Sequence, residues 1–301
     1  MKTNLFFMAA LGFLAYGCSN DSELTTADNA AGQKLAPVTV QVHGFFVSQE
    51  DFSDGTTRAA QDAEAYDGVK VLTLAFYNGA AEAYKVTQTK GALEEGDNFG
   101  VFSLELPMGS YTMVVIGQGL SNGEPPITLN SPVSASYGDN TARDTFVTTQ
   151  TVNVTNTDAV DVSATLNRVI AKLQVASSDT RTANVRSVRM TLHAGGKSFS
   201  PTTGLATVNT GFSNTIGISS AVGATSLSNT YLFLSTDEQT MDVTIETLDE
   251  DGNTLFSKLV ENVPFKRNRV TVLTGAMYSN TNMSGTFQVE TAWLANYSMG
   301  F

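Results

Sequence analysis

Cysteine and histidine are nearly absent from this sequence, which has one cysteine, Cys18, and two histidines, His43 and His193. One thiol cannot form an intramolecular disulfide, and two distant histidines leave too few ligands for a typical zinc site. The sequence also has neither a G-x-S-x-G nucleophile elbow nor a glycine-rich phosphate loop. We therefore predict that the protein is not an enzyme and that it holds no metal or other cofactor.

Positive charge and long apolar runs are scarce as well. Lys and Arg number 17 against 29 Asp and Glu, which gives a formal net charge of −12. Such an acidic chain is unsuited to nucleic acid or to anionic lipid headgroups. Thr, Ser, Val, Asn and Gly are plentiful, whereas convincing helical patterns are few. This composition indicates a β-rich secreted protein that is long enough for two domains.

The first 17 residues have the pattern of an export signal. Lys2 precedes an apolar run over residues 5–14, which has signal-peptide length and is too short to span a bilayer stably. The next residues, "LAYGC", resemble a bacterial lipobox, which implies cleavage between Gly17 and Cys18 and acylation of Cys18, for example by palmitate. The alternative is an ordinary secretory leader followed by an unpaired thiol.

The residues after the lipobox predict the location of the protein. Residues 19–23 are polar and acidic, and they resemble the tags that send some Gram-negative lipoproteins to the outer cell surface. Two or more acyl chains on Cys18 would anchor the chain stably to the outer membrane. Residues 18–36 form a polar, alanine-rich segment, which we expect to be a flexible tether of roughly 25 Å.

Short segments of alternating polarity follow, separated by turn pairs such as Asn78-Gly79 and Asp251-Gly252. Regular spacing of such segments, with almost no amphipathic helix, indicates antiparallel sandwiches. We predict an all-β fold of two tandem antiparallel β-sandwich domains of the transthyretin-like kind, over residues 37–160 and 161–301. In the first strand, four apolar residues share one face at period two: Val38, Val40, Val42 and Phe46.

Four segments, taken in order and together with the lipobox, resemble the FimA-like fimbrillin family, the subunits of type V pili. The first is "VTVQVHGFFVSQEDFSDGTTRAAQ" and the second is "LELPMGSYTMVVIGQG", with a Leu-Pro-x-Gly-x-Tyr pattern. The third is "LNRVIAKLQV", which contains Arg168 and Lys172, and the fourth is "FKRNRVTVLTGAMY". The resemblance covers most of the chain after the leader, in separated pieces.

The resemblance implies a maturation step. In fimbrillins a lipoprotein precursor reaches the surface, an arginine-specific protease cuts after a loop arginine, and the first strand leaves a groove. The matching position here is the bond between Arg58 and Ala59, in the exposed-looking "DGTTRAAQ" segment. The alternative is that Arg58 is a solvated loop residue, because Arg143 and Arg181 also occupy apparent loops.

The resemblance further implies that a donor strand from another subunit fills the groove. Residues 286–301 contain a suitable segment, in which four residues alternate on one face, with Thr291 as the polar exception: Phe287, Val289, Trp293 and Ala295. The alternative is that this tail pairs within its own domain.

Three functions remain open at this point. The first is a structural pilus subunit that is cleaved, polymerises with other pilus subunits and supports adhesion to a host or bacterial surface receptor. The second is a pilus anchor or tip subunit that stays uncleaved. The third is a surface glycan-binding lipoprotein, a class that usually exposes several aromatic residues, whereas this chain has one tryptophan.

Overall fold

The computed structural model describes residues 34–46, 61–121, 123–139 and 141–278, and the backbone of residues 288–291. The regular structure of these residues consists of β-strands, which confirms the predicted all-β class. The described part of the chain offers no helix with the length and apolar character needed to cross a membrane.

The largest sheet has eight strands and is built from the first half of the chain. Its order is β2-β1-β10-β9-β6-β3-β4, and β5 also pairs with β1. The central strand β1 is antiparallel to β5 and parallel to β10. The bounds of these strands are β1 Leu35–Phe46, β2 Gln61–Asp62, β3 Val71–Asn78, β4 Ala81–Thr89, β5 Val101–Pro107, β6 Gly109–Gln118, β9 Thr145–Val154 and β10 Val160–Arg168.

Two four-stranded sheets are built from the second half. One has the order β16-β11-β19-β20 and the other has the order β15-β12-β17-β18. The bounds of these strands are β11 Ala171–Ser177, β12 Ser187–Leu192, β15 Phe212–Gly217, β16 Leu227–Leu232, β17 Glu238–Leu248, β18 Thr254–Lys266, β19 Val270–Gly275 and β20 Gln288–Thr291.

A fourth sheet contains strands from both halves, in the order β14-β13-β8-β7. The bounds of its strands are β7 Ile127–Ser131, β8 Ser134–Tyr137, β13 Ser198–Ser200 and β14 Leu205–Ala206. Because β8 pairs with β13, the backbone hydrogen bonds of this sheet join the two halves directly.

The two halves repeat one strand topology. In the first, β1 lies between antiparallel β5 and parallel β10, and in the second β11 lies between antiparallel β16 and parallel β19. Likewise the order β4-β3-β6-β9 matches the order β15-β12-β17-β18. We call β1 to β10 the first repeat and β11 to β20 the second repeat, with β7–β8 and β13–β14 as insertions that meet in the shared sheet.

Three clusters of buried apolar side chains hold these sheets together. One fills the first repeat, around residues such as Leu74 and Met113, and another fills the second repeat. The third lies where the repeats meet and includes Phe199 and Phe233, whose rings stack with centroids 4.5 Å apart. Burial of such large side chains contributes roughly 1.5–3 kcal/mol each, so the junction is a core in its own right.

The change from the first repeat to the second occurs later in the chain than residue 160. Strand β10 begins at Val160 and pairs with β1 and β9, and the next strand, β11, begins at Ala171 and pairs with β16 and β19. The strand predicted to begin after residue 37 in fact begins at Leu35, so the end of the predicted tether is part of β1. The division into two domains stays a prediction, and on these pairings it would fall after Arg168.

Candidate functional site

The first strand lies in a groove that is lined on both sides by backbone. Strand β1 pairs with β5 from Leu35 to Gln41 and with β10 from Val38 to Phe46. Its side chains alternate between solvent and core until Val42, and the inward-facing ones are at most 4% exposed: Ala36, Val38, Val40 and Val42. A strand with two paired edges and one buried face is held by both hydrogen bonds and apolar contacts.

The end of β1 differs from the predicted alternation. The pairing with β10 shifts register between Val42 and Gly44, so one extra residue is inserted and the side chains change face. Phe45 is therefore fully buried, in contact with the rings of Tyr66 and Phe146. The prediction that Phe46 shares the buried face was wrong, because Phe46 is only partly buried.

The predicted processing sites lie outside the described residues. These are the signal peptide 1–17, the cleavage site at Gly17 and Cys18, and the maturation site at Arg58 and Ala59. The chain is described again from Gln61, where β2 pairs with Gly44 and Phe45 near the end of β1.

The C-terminal tail pairs within its own chain over a short stretch. Strand β20 is antiparallel to β19, with Val289 opposite Leu273. This is the alternative that the sequence left open. Phe287, Trp293 and Ala295 lie outside the described residues, so their part in a donor strand stays a prediction.

The Leu-Pro-x-Gly-x-Tyr segment forms the tight connection between β5 and β6. The Tyr111 hydroxyl donates a hydrogen bond to the Pro107 carbonyl at 2.8 Å, and Leu106 and Tyr111 are both buried. A Cβ atom at Gly109 would lie 3.2 to 3.3 Å from the Tyr111 side chain, so the glycine leaves room for the ring. This motif therefore fixes a corner of the first repeat.

Arg168, from the third segment, lies at the junction between the repeats. Its Nε and Nη2 donate to the two carboxylate oxygens of Asp144 at 2.8 and 3.0 Å, and Nη2 also donates to the Tyr66 hydroxyl at 2.9 Å. Its guanidinium lies over the Phe146 ring, and Nη1 is 3.4 Å from the side-chain oxygen of Asn268. Arg168 thus joins the turn before β9, the segment after β2 and the turn before β19.

Burial controls the electrostatics of this cluster. It raises the pKa of the Asp144 carboxyl, and the Arg168 guanidinium opposes that rise. It also lowers the pKa of the Lys172 ammonium and raises the pKa of the Tyr66 hydroxyl. Sequence reasoning identified Arg168 and Lys172 but missed Asp144 and Tyr66, which are 24 and 102 positions from Arg168 and carry no local signal.

The two other candidate loop arginines are both bonded to the body of the protein. The Arg143 side chain is 7% exposed and forms ion pairs with Asp139 and Glu124. The Arg181 Nε and Nη2 both donate to the backbone carbonyl of Val185, at 3.0 and 2.8 Å. A protease that must seat an arginine side chain in its pocket would first have to break these contacts.

Among the described residues, no group of three or more His, Cys, Asp and Glu side chains could hold a metal ion. His43 contacts the Ser163 hydroxyl and His193 contacts the Thr244 hydroxyl, both at the surface. The Asp249 carboxylate accepts hydrogen bonds from the backbone of Asn253 and Asp251, as in a turn.

An open cleft of about 310 Å³ lies beside the junction and is lined by residues of both repeats. Arg168 and Arg267 line it, and Phe46 is the single aromatic residue among its lining residues. A sugar-binding cleft usually offers exposed aromatic rings on which the sugar stacks. The single, partly buried ring of Phe46 provides little surface for such stacking.

These features define an all-β protein with a buried, centrally placed first strand and two topologically equivalent repeats. The sequence matches the Family of unknown function (DUF6562) over residues 38–298, and the chain belongs to this family. No curated protein matches the chain.

Several solved structures have folds similar to the fold of this chain. A candidate adhesin from Bacteroides ovatus has a TM-score of 0.52 at 14% identity, over 87% of this chain and 96% of that chain. The fimbrial anchor protein Mfa2 from Porphyromonas gingivalis has a TM-score of 0.48 at 12% identity, over 85% and 97%. A candidate polysaccharide-binding protein from Bacteroides thetaiotaomicron has a TM-score of 0.46 at 11% identity, over 81% and 92%. At these identities the likeness concerns the fold.

Proposed function

We propose that this chain is a structural subunit of a cell-surface pilus that supports adhesion, built from two tandem transthyretin-like β-sandwich domains. In this proposal it belongs to the wider group of FimA-like fimbrillins and is exported as a lipoprotein on Cys18. An arginine-specific surface protease then cuts it between Arg58 and Ala59, and copies or related subunits assemble by donor-strand exchange.

One observation carries the proposal, namely the position of β1 between β5 and β10. A cut after Arg58 would separate β1 from the rest of the chain covalently, while every other described strand stays on one continuous polypeptide. The groove that β1 leaves would have two unpaired edges and an uncovered apolar floor. Such a groove is a strong acceptor for another extended segment.

The energetics favour replacement of β1 over its simple loss. Four side chains of β1 are buried, namely Val38, Val40, Val42 and Phe45. At roughly 1.5–3 kcal/mol each, their burial amounts to about 6–12 kcal/mol, which is an upper bound. A cut strand would therefore stay bound until a comparable segment displaced it. The tail at residues 286–301 is our proposed donor.

The proposal is tested by N-terminal sequencing of the protein sheared from intact cells. A start at Ala59, in heat-stable ladders on a denaturing gel, is the expected result. The Arg58→Ala variant should keep its earlier start and give only monomers, whereas the matched variant Arg181→Ala should behave like the wild type. Ladders that persist in Arg58→Ala would refute cleavage at this site.

A pilus anchor or tip subunit is the second candidate, because β20 pairs with β19 of the same chain and is not free for donation there. Such a subunit would keep its lipid on Cys18 and would not be cut. A lipid-modified start at Cys18 with monomers only would favour it over the stalk subunit.

A surface glycan-binding lipoprotein is the remaining alternative, and the cleft at the junction is its candidate site. Saturable binding to a glycan array, with no polymer formed on cells, would support the glycan-binding function over the stalk function and over the anchor or tip function.

A further inference from the structure

We propose that the outer edge of β10 binds the β20 segment of a second copy of this chain as an added antiparallel strand. The proposal does not require cleavage at Arg58 or loss of β1, since β1 occupies the opposite edge of β10. It therefore goes beyond donor-strand exchange, because it gives the uncleaved protein its own contact between copies.

The equivalence of the two repeats identifies the site. In the second repeat, β19 pairs with β11 on one side and with β20 on the other, from Thr271 to Thr274. In the first repeat, β10 pairs with β1 on one side, and on the other side its pairing with the described residues is limited to β9 at Asn167 and Arg168. The edge of β10 before Asn167 is thus the counterpart of the edge that β20 covers.

The backbone of this edge directs hydrogen-bonding groups away from β1. The Ser163 carbonyl accepts a 3.3 Å hydrogen bond from the Gln150 side chain on β9, which shows that it points away from β1, and an added strand would displace this side chain. The N–H and C=O of one strand residue point to the same side, and the next residue points to the other. Asp161, Ser163 and Thr165 therefore direct donors and acceptors to the open edge, as on an edge strand that accepts a peptide.

The side chains at this edge are incompletely covered. Val160 and Val162 lie on the core-facing side of β10 and are only partly buried. Ala164 and Leu166, further along the same face and nearer the corner with β9, are buried. An added strand beside the start of β10 would cover the two valines, and the apolar area removed from water would stabilise the complex.

The β20 segment is the occupant that the structure supports, since it already adds to the equivalent edge in antiparallel orientation. Its own site on β19 is filled within each chain. A second copy can therefore release its β20 segment from its own β19. The released segment then pairs with the equivalent edge, on β10 of the first copy.

The experiment measures binding of a labelled peptide to the intact, uncleaved chain. The probe is the fluorescent peptide TFQVETAWLA, residues 286–295, and the protein is residues 18–301 with Cys18→Ser, so that no lipid or thiol is present. Fluorescence anisotropy should give saturable binding of one peptide per chain. Hydrogen exchange should show new protection at residues 161–165 and unchanged protection at residues 270–275.

Two variants test the mechanism. Ser163→Pro removes one outward N–H and leaves the hydrogen bonds between β10 and β1 in place, so peptide affinity should fall at least tenfold. The matched variant Ser163→Thr keeps the N–H and should bind as the parent does. Should Ser163→Pro fail to fold, a peptide carrying Val289→Pro, added to the parent protein, should bind at least tenfold more weakly.

Unchanged affinity in folded Ser163→Pro, or protection that appears at residues 270–275 in place of 161–165, would overturn the proposal. Both results are independent of the pilus function, because the peptide experiment uses uncleaved protein and the cell experiment reads the start of the sheared chain. Either proposal can therefore fail alone.

Discussion

The Arg168 guanidinium and the Asp144 carboxylate form a two-point ion pair where the two repeats meet, with nitrogen–oxygen distances of 2.8 and 3.0 Å. Two parallel hydrogen bonds fix the angle between the partners as well as their separation. The pair holds the turn before β9 to the end of β10, so it supports the corner through which the chain passes into the second repeat.

Loss of one partner of this pair should destabilise the fold. In Arg168→Met a carboxylate with a side chain only 17% exposed would lose both hydrogen bonds from its guanidinium partner, and the free energy of unfolding should fall by about 3 kcal/mol. The double variant Arg168→Met with Asp144→Leu should recover part of that loss, because the Asp144 carboxylate that lost its two-point partner is then removed as well. Urea denaturation measures both, and a loss below about 1 kcal/mol in the single variant would contradict the role given to the pair.

The register shift in β1 predicts opposite results for two neighbouring phenylalanines. Phe45 is fully buried, so Phe45→Ala should reduce the free energy of unfolding by about 3–5 kcal/mol. Phe46 is only partly buried, and Phe46→Ala should reduce it by about 1 kcal/mol or less. Thermal or urea unfolding of the two proteins is a direct comparison, and the reverse order would place the shift elsewhere.

The bonded arginines predict a selective pattern of native proteolysis. Cleavage of the folded protein by an arginine-specific protease should occur after Arg58 at least tenfold faster than after Arg143 or Arg181. The physical reason is that the latter two side chains are held by ion pairs and backbone carbonyls, so cleavage there requires local opening. Mass spectrometry of a digestion time course identifies the first cut, and a first cut at Arg143 or Arg181 would contradict the prediction.

The pair formed by Arg189 and Glu246 predicts a pH dependence. These residues lie opposite each other on β12 and β17, and the hydrogen bonds from Arg189 hold the pKa of Glu246 below its usual range. A lowered pKa means that the unfolded chain binds the proton more tightly, so the stability from this pair is full above about pH 4.3 and is lost as pH falls through the folded pKa.

The matched comparison for this pair is Glu246→Gln. At pH 7 the wild type should exceed the variant in free energy of unfolding by a few tenths of a kcal/mol, roughly 0.5 kcal/mol at most, because solvent screens this pair. The gap should close at low pH, as measured by urea unfolding at a series of pH values. A gap that stays constant down to pH 2 would show that charge on Glu246 is irrelevant.

Much of the fold could be predicted from alternating polarity, because a strand with one buried face has period two. That rule identified β1 and its buried valines and failed at Phe46, since the inserted residue depends on pairing with β10. Gly44 within the strand was an available signal, because a glycine inside a strand pattern often marks a bulge.

Other features gave no usable sequence signal. Strands β13 and β14 span three and two residues, which is too short for a period to be recognised. The repeated topology was also missed, because two halves can share a strand order without sharing a recognisable sequence period. Asp144 and Tyr66 escaped notice since their link to Arg168 exists only after the chain has folded.

The sheet shared by the two repeats has a mechanical consequence. Strand β8 of one repeat and strand β13 of the other are hydrogen-bonded, and the stacked rings of Phe199 and Phe233 lie in the core beside them. Two repeats joined only by a linker would rotate relative to each other when pulled. Here the hydrogen bonds between β8 and β13 and the core beside them must break before the two repeats can separate, so the shared sheet resists a force that pulls the repeats apart.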